Sequence, residues 1–341
     1  MNVFITGGAG FIGSNSASYY LSKGHNVIIF DNLSRDGAKK NIDWLTKSIN
    51  KPHIIKGEIK SPSSLNTVKK YLKTSDLVLH LAAQVAVTTS VTDPRDDFEI
   101  NALGTFNLLE VMRKSGCKAK LIYSSTNKVY GGMKDIKIKK EKTRYLYKNL
   151  KYGVNEERCV DFHSPYGCSK GAAGQYVHDY ERIYGLDTTI LRQSCIYGPR
   201  QFGVEDQGWV AWFIIALVMG KNITIYGDGK QVRDLLFIDD LVECYDLVYK
   251  NKKKTKGQIY NIGGGIKNTM SVWSEFGPIL ESLFKKNINP KFVNWRPGDQ
   301  LVYVSDIRRA SRDFGWTPKI DVRTGVKKLF NWVMENRQLF Q

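Results

Sequence analysis

The chain has 341 residues, 42% hydrophobic and 25% charged, with a formal net charge of +18 at pH 7. That length holds one large α/β domain with a smaller second lobe, and the composition is that of a globular protein. No apolar run reaches the length of a membrane span, and "MNVFITGGAG" enters a strand and a glycine loop directly, which excludes a signal peptide and makes the cytoplasm the expected location.

The first predicted element is the strand "NVFITG" (2–7), followed by the turn "TGGAGFIG" and a helix near 11–23. Gly7, Gly10 and Gly13 recur every three residues, where a backbone must turn tightly and open a helix N-terminus to a pyrophosphate. The next strand, "NVIIFD" (26–31), ends on Asp31, at the offset expected of a ribose-binding acid. A carboxylate there accepts from both ribose hydroxyls and repels a 2′-phosphate, which favours NAD, while Arg35 leaves NADP open. "HIIKGEI" (53–59), a helix from about 62, "DLVLHLAA" (76–83), a long helix near 96–115 and "KLIYSST" (120–126) follow. Short apolar runs separated by helices imply βαβ units and a doubly wound parallel sheet of Rossmann type.

Thr126 closes the last of those strands, at the carboxyl end where ligands meet such sheets. In "SPYGCSKG" (164–171), Ser164 caps a helix, Pro165 fits its first turn, and Tyr166 and Lys170 lie one turn apart on the same face. A nearby ammonium is expected to lower the Tyr166 pKa and make the phenolate a usable base near neutrality. After about 195 the texture changes to a turn-rich "YGPRQF", a helix carrying "WVAWFIIALVM", the strand "NITIYG", "GQIYNIGGG" and a helix near 271–285. The expected division is a cofactor domain over 1–195, with returning segments near 229–265, and a mainly substrate-binding lobe over 196–341.

The five cysteines and five histidines form no metal-ligand spacing, so reduced thiols and no metal are expected. The lysine excess concentrates in 134–142 and 250–257, without interleaved aromatics. It is expected to form solvated faces that at most attract an anionic substrate, with neither nucleic acid nor membrane as a partner.

"TGGAGFIG", "SSTNKVYG", "SPYGCSK" and "GDGKQVRDLLFIDDL" together resemble the extended short-chain dehydrogenase/reductase family over essentially the whole chain. The resemblance implies catalysis by Thr126, Tyr166 and Lys170. It also implies NAD held by Gly7, Gly10, Phe11, Ile12, Gly13, Asp31, Asn32, Ser34, Arg35, Glu58, Ile59, Leu81, Ala82, Ala83, Asn101, Ser124, Tyr166, Lys170 and Gln193. Glu58 stands where that family usually has Asp. The substrate implied is a nucleotide sugar, held by Gln84, Thr126, Asn127, Gln193, Gln201, Gln207, Gln231, Arg233, Arg296 and Asp299. Arg233 and Arg296 would bind the diphosphate, and Asp299 would order Arg296 or touch a ribose hydroxyl.

Dehydratases of the family carry Asp–Glu directly after the catalytic Thr, and this chain has Asn127–Lys128 instead. Asn donates no proton as an acid, and Lys is a poor substitute for a carboxylate base, so elimination of water is disfavoured and epimerisation remains. "QVAVTTS", "DFEINALGTFNLLE", "DFHSPYGCSKGAA" and "RQFGVEDQGWVAWF" narrow the resemblance to the branch that epimerises CDP-linked dideoxyhexoses at C2, in lipopolysaccharide O-antigen biosynthesis. A 4-epimerase or reductase of the same family, and a non-catalytic NAD-binding protein, are the alternatives. The resemblance also implies a homodimer, paired through the helices near 96–115 and 164–184, or a homotetramer.

Overall fold

A computed structural model describes residues 1–296 and 299–341. Its centre is a seven-stranded, all-parallel sheet. The strands are β1 (Asn2–Thr6), β2 (Asn26–Asp31), β3 (His53–Lys56), β4 (Leu77–His80), β5 (Lys120–Thr126), β6 (Thr188–Gln193) and β7 (Gln258–Ile262), in the order β7-β6-β5-β4-β1-β2-β3. The chain runs outward from β1 to β3, then crosses back to lay β4 on the other side of β1. That reversal opens a crevice at the carboxyl ends of β1 and β4, where open α/β sheets bind ligands.

Alternation along the strands builds the two faces. Val3 and Ile5 of β1 and Leu77 and Leu79 of β4 join one apolar cluster, with α1 (Phe11–Ser22). Phe4 and Val78 join the other, with α2 (Gly104–Ser115) and α3 (Pro165–Tyr184). Period-two alternation in strands buried on both sides is what a doubly wound sheet requires. The first cluster continues into α4 (Trp209–Val218), α5 (Ile238–Lys250) and α6 (Val322–Glu335), so the C-terminal segments share a core with the sheet.

Outside the main sheet, Val232–Phe237 pairs with Cys195–Tyr197 and Val302–Tyr303 in parallel and with Thr269–Ser271 antiparallel. Asp234 anchors this small sheet. It is fully buried and accepts from Ser305 N at 3.0 Å, Gly265 N at 3.3 Å and the Ser194 hydroxyl. Asp234→Ala strands those donors and is expected to cost on the order of 3 kcal/mol of stability. An unchanged urea midpoint at constant m-value would show that the anchor is not needed.

Several elements depart from expectation. The helix foreseen near 96–115 is broken into Pro94–Phe98, a π-helical turn at Glu99–Leu103, and α2. Asn101, inside the wider turn, bonds Asp97, Ser169 and the Gln84 carbonyl, all at 3.1 Å. The strand foreseen over 53–59 stops at Lys56, and the helix foreseen near 271–285 begins only at Phe276, after a short strand. β6, the helix Ala38–Leu45 and the hairpin Ile138–Lys140/Tyr145–Tyr147 were not anticipated. The hairpin ties the lysine-rich insert to the lobe through Tyr145 Oη to Asp228 at 2.7 Å and Arg144 to Glu275 at 2.7 Å. Among the described residues no helix is long and apolar enough to cross a membrane, and no cluster of metal-ligating side chains occurs.

Candidate active site

The crevice between β1 and β4 is floored by the glycine turn. Gly7 has φ +69°, and a methyl group on it would lie 2.6 Å from Ala82 N. A methyl on Gly13 would lie 2.2 Å from the Gly7 carbonyl oxygen and 2.6 Å from Gly8 Cα. Gly10 differs, because its added Cβ meets only Gly7 O, at 3.3 Å. The space above it is open, and it N-caps α1, whose first turn has no side-chain cap and no acidic residue. Free N–H groups at the positive end of a twelve-residue helix suit a pyrophosphate.

Asp31 accepts from Ala9 N at 2.9 Å and Leu33 N at 2.8 Å, which aims its carboxylate across the mouth of the turn with acceptor capacity to spare. Burial pushes its pKa up against those two bonds. Along the rim, Asn32 donates to Glu58 at 2.9 Å and Ser34 donates to Asn32 Oδ1 at 2.8 Å, which gathers three foreseen residues into one polar edge. Leu81, Ala82 and Ala83 follow β4 and form the facing wall. Ile59 is buried and packs beneath Gly104. The donor set and the methyl-free cradle fit a dinucleotide.

At the other end, Ser164 accepts from Gly167 N at 3.1 Å with Pro165 in the first turn, as the sequence requires, and α3 begins there. Tyr166 and Lys170 are both buried on α3, whereas Cys168 between them is exposed. Thr126 ends β5, and its hydroxyl accepts from Lys128 N at 3.2 Å. The structure brings Thr126 and Tyr166 together.

The expected lowering of the Tyr166 pKa is not found. Burial drives it up to about 12, opposed by the Thr126 hydroxyl and by Arg35, while buried Asp97 adds to the rise. Lys170 is itself pushed down to about 7 by burial, with Asp97 pulling the other way. Its ammonium lies 4.4 Å above the Tyr123 ring centroid. Desolvation therefore dominates at Tyr166, and the cation that acts against it is Arg35 rather than Lys170.

Asp97 escaped the sequence reading. It is fully buried, accepting from Ser169 Oγ at 2.5 Å and Asn101 Nδ2 at 3.1 Å. The only signal for it in the sequence is an acid four residues before Asn101, one helical turn away. Asn101, foreseen as a cofactor ligand, spends its amide on this network.

Other foreseen ligands are also occupied. Gln84 is buried, donates to Ala86 O at 2.8 Å and accepts from Ala86 N, so its amide closes its own loop. Gln193 accepts from Ser124 Oγ at 3.1 Å and donates to Tyr245 Oη at 2.8 Å, linking β5, β6 and α5. Gln201 and Gln231 are buried, donate to Ile196 O and Tyr226 O, and leave Oε1 without a partner among the described residues. Gln207 is half-buried in a tight turn closed by paired backbone bonds with Val204.

Asp299 does not order Arg296. Its carboxylate pairs with Arg233 Nη2 at 2.5 Å. Burial works to raise its pKa, but Arg233 and Lys128 hold it below the usual carboxylate range. Arg296 instead bonds Glu205 O at 3.1 Å and Asp206 at 2.9 Å and stacks 3.8 Å from the Tyr226 ring centroid. Asn127 reaches Gln300 at 3.5 Å, and Gln300 donates to Gly131 O at 2.5 Å.

A doubly wound sheet with a glycine cradle at its switch point, and a buried Tyr and Lys on α3 facing the Thr that ends its central strand, is the frame of a dinucleotide-dependent enzyme. A family model described as "NAD dependent epimerase/dehydratase family" matches residues 3–263, and the chain belongs to that family. It is similar to CDP-paratose 2-epimerase of Salmonella typhi, 45% identical over 97% of this chain and 99% of that one. Among solved structures it resembles UDP-glucose 4-epimerase of Thermotoga maritima with UDP-glucose, with TM-score 0.84, 31% identity, and 99% and 100% of the two chains covered. UDP-glucuronic acid 4-epimerase of Bacillus cereus, in complex with UDP-glucuronic acid and NAD, superposes with TM-score 0.83 at 28% identity over 98% and 99%.

Proposed function

We propose that this protein is an NAD-dependent nucleotide-sugar epimerase that interconverts CDP-paratose and CDP-tyvelose at C2. The observation that carries the reading is the full-length 45% identity to a CDP-paratose 2-epimerase. The site is compatible with it: Asn127 and Lys128 follow Thr126 where dehydratases of the family carry Asp–Glu.

Residues 1–195, with the segments near 229–265, hold the cofactor, and 196–341 mainly hold the nucleotide sugar. Held by the glycine turn and Asp31, NAD would supply the hydride acceptor, the donor that restores it and, in its oxidised form, a positive charge that favours the phenolate. Tyr166, as phenolate, takes the proton of the C2 hydroxyl, and the Thr126 hydroxyl donates to the same sugar oxygen. The 2-keto sugar turns within the pocket and presents its other face. Tyr166 then returns the proton to the oxygen, so atoms and charges are restored over one cycle. Arg233 and Arg296 hold the diphosphate by charge-assisted hydrogen bonds, which lets the sugar turn while the nucleotide stays fixed.

Purified enzyme given CDP-paratose in D2O is expected to form CDP-tyvelose with no deuterium at C2 by proton NMR, and no net NADH. Deuterium at C2 would indicate an enolate route, and net consumption of reduced cofactor would indicate a reductase. Screening CDP-, UDP-, GDP- and dTDP-sugars in the same assay tests the carrier.

The subunits form a homodimer, alone or within a tetramer, through α2 and α3. Tyr176, Ile183 and Tyr184 on α3 are about half or more exposed, at 48%, 64% and 50%, an apolar stripe suited to a four-helix contact. The place of work is the cytoplasm, in O-antigen precursor synthesis.

A further inference from the structure

Lys128 has no part in the mechanism above, although it follows Thr126 by two residues. Its backbone N–H donates to the Thr126 hydroxyl, and its side chain, 27% exposed, extends until Nζ lies 4.0 Å from Asp299. Arg233 occupies the same carboxylate at 2.5 Å, so one anion serves two cations, while Arg296 nearby has its own partner in Asp206. Burial, and then Arg233, push the Lys128 ammonium down, with Asp299 opposing. Two cations sharing one carboxylate leave positive charge that an anionic ligand can neutralise.

The substrate's chemistry says which anion. In a pyranose linked through C1 to a diphosphate, C2 is bonded to the anomeric carbon, whereas C4 lies across the ring. An enzyme reacting at C2 must therefore bring the sugar-proximal phosphate much closer to its Thr/Tyr pair than one reacting at C4. Lys128 starts at Thr126 and ends beside Arg233, so it spans that short interval. We propose that Lys128 is a substrate-positioning residue that binds the sugar-proximal phosphate beside Thr126 and so sets the depth at which C2 meets Tyr166, while Arg233 takes the distal phosphate. This rests on the 2-epimerase reading for its substrate and on the Lys128–Asp299–Arg233 cluster for its site.

The test compares the NAD-loaded enzyme with Lys128→Met and Lys128→Arg by calorimetric titration with CDP, UDP, GDP and dTDP and the matching monophosphates. The wild type is expected to prefer its diphosphate over the monophosphate. Lys128→Met is expected to lose about ten- to a hundred-fold of diphosphate affinity with little change for the monophosphate, the size of one charge-assisted hydrogen bond. Lys128→Arg should regain much of it, and bound NAD should be equal in all three. In turnover, KM should rise more than kcat falls. A Lys128→Met enzyme that keeps its preference for the diphosphate overturns the proposal, as does a wild type with no such preference in any pair. Preference for UDP or another diphosphate, with the same loss in Lys128→Met, would sustain Lys128 as the phosphate ligand and refute the CDP reading alone.

Discussion

Tyr166→Phe is expected to lower kcat by about 10²–10⁴-fold, the usual contribution of a positioned acid–base group, while NAD and substrate remain bound. The ring is buried at 9% exposure on the first turn of α3, so Phe fills the same space and the cap at Ser164 is untouched. Only the hydroxyl disappears, and the Thr126 side chain keeps its own bonds to Asn127 and Lys128. The side chains next to the pair in sequence do not substitute for it: Asn127 does not titrate near neutrality, and Cys168 is exposed on another face of α3. Single-turnover kinetics, with NAD content measured in parallel, separates the lost proton transfer from lost binding. Wild-type epimerisation in this variant would remove Tyr166 from the chemistry.

Gly13→Ala is expected to weaken NAD binding at least about tenfold and to cost about 1–3 kcal/mol in stability, as overpacking against backbone usually does. The new methyl would stand 2.2 Å from the Gly7 carbonyl oxygen and 2.6 Å from Gly8 Cα. Neither is the end of a flexible side chain, so relief requires α1 to move away from the turn. That movement carries off the positive helix N-terminus that opens at Gly10. Acid extraction should find little NAD in the purified variant, and the melting temperature should fall. Full NAD occupancy in Gly13→Ala would show that the pyrophosphate is held elsewhere.

Much of the frame was legible because its causes are local. Apolar alternation in "NVFIT" sends Val3 and Ile5 to one face and Phe4 to the other wherever the strand is placed. Ser164 and Pro165 start α3 through bonds within one turn. The glycines of "TGGAGFIG" and the four-residue step from Tyr166 to Lys170 are likewise geometry that a short segment carries with it. β6 is hard to read because only Gly185–Asp187 separate it from α3 and its polar Thr188, Thr189, Arg192 and Gln193 leave a short apolar run.

The residues that could be misassigned were those whose polar atoms have several possible partners. Gln84, Asn101 and Gln193 were expected to face ligands, and each satisfies itself within the protein, since a buried amide takes the nearest good donor or acceptor. Whether Asp299 met Arg233 or Arg296 depended on how the lobe folds over the sheet.

The amino-acid order by itself determined the parallel sheet, the dinucleotide turn and the Thr126/Tyr166/Lys170 set. Tertiary structure alone decided which charges share a desolvated cleft, placing Lys128 beside Asp299 and Arg233 and leaving Tyr166 with its proton held at about 12. The physical reason is range: backbone conformation and capping act over a few residues, whereas burial and Coulomb interactions depend on distances that exist only once remote segments have packed.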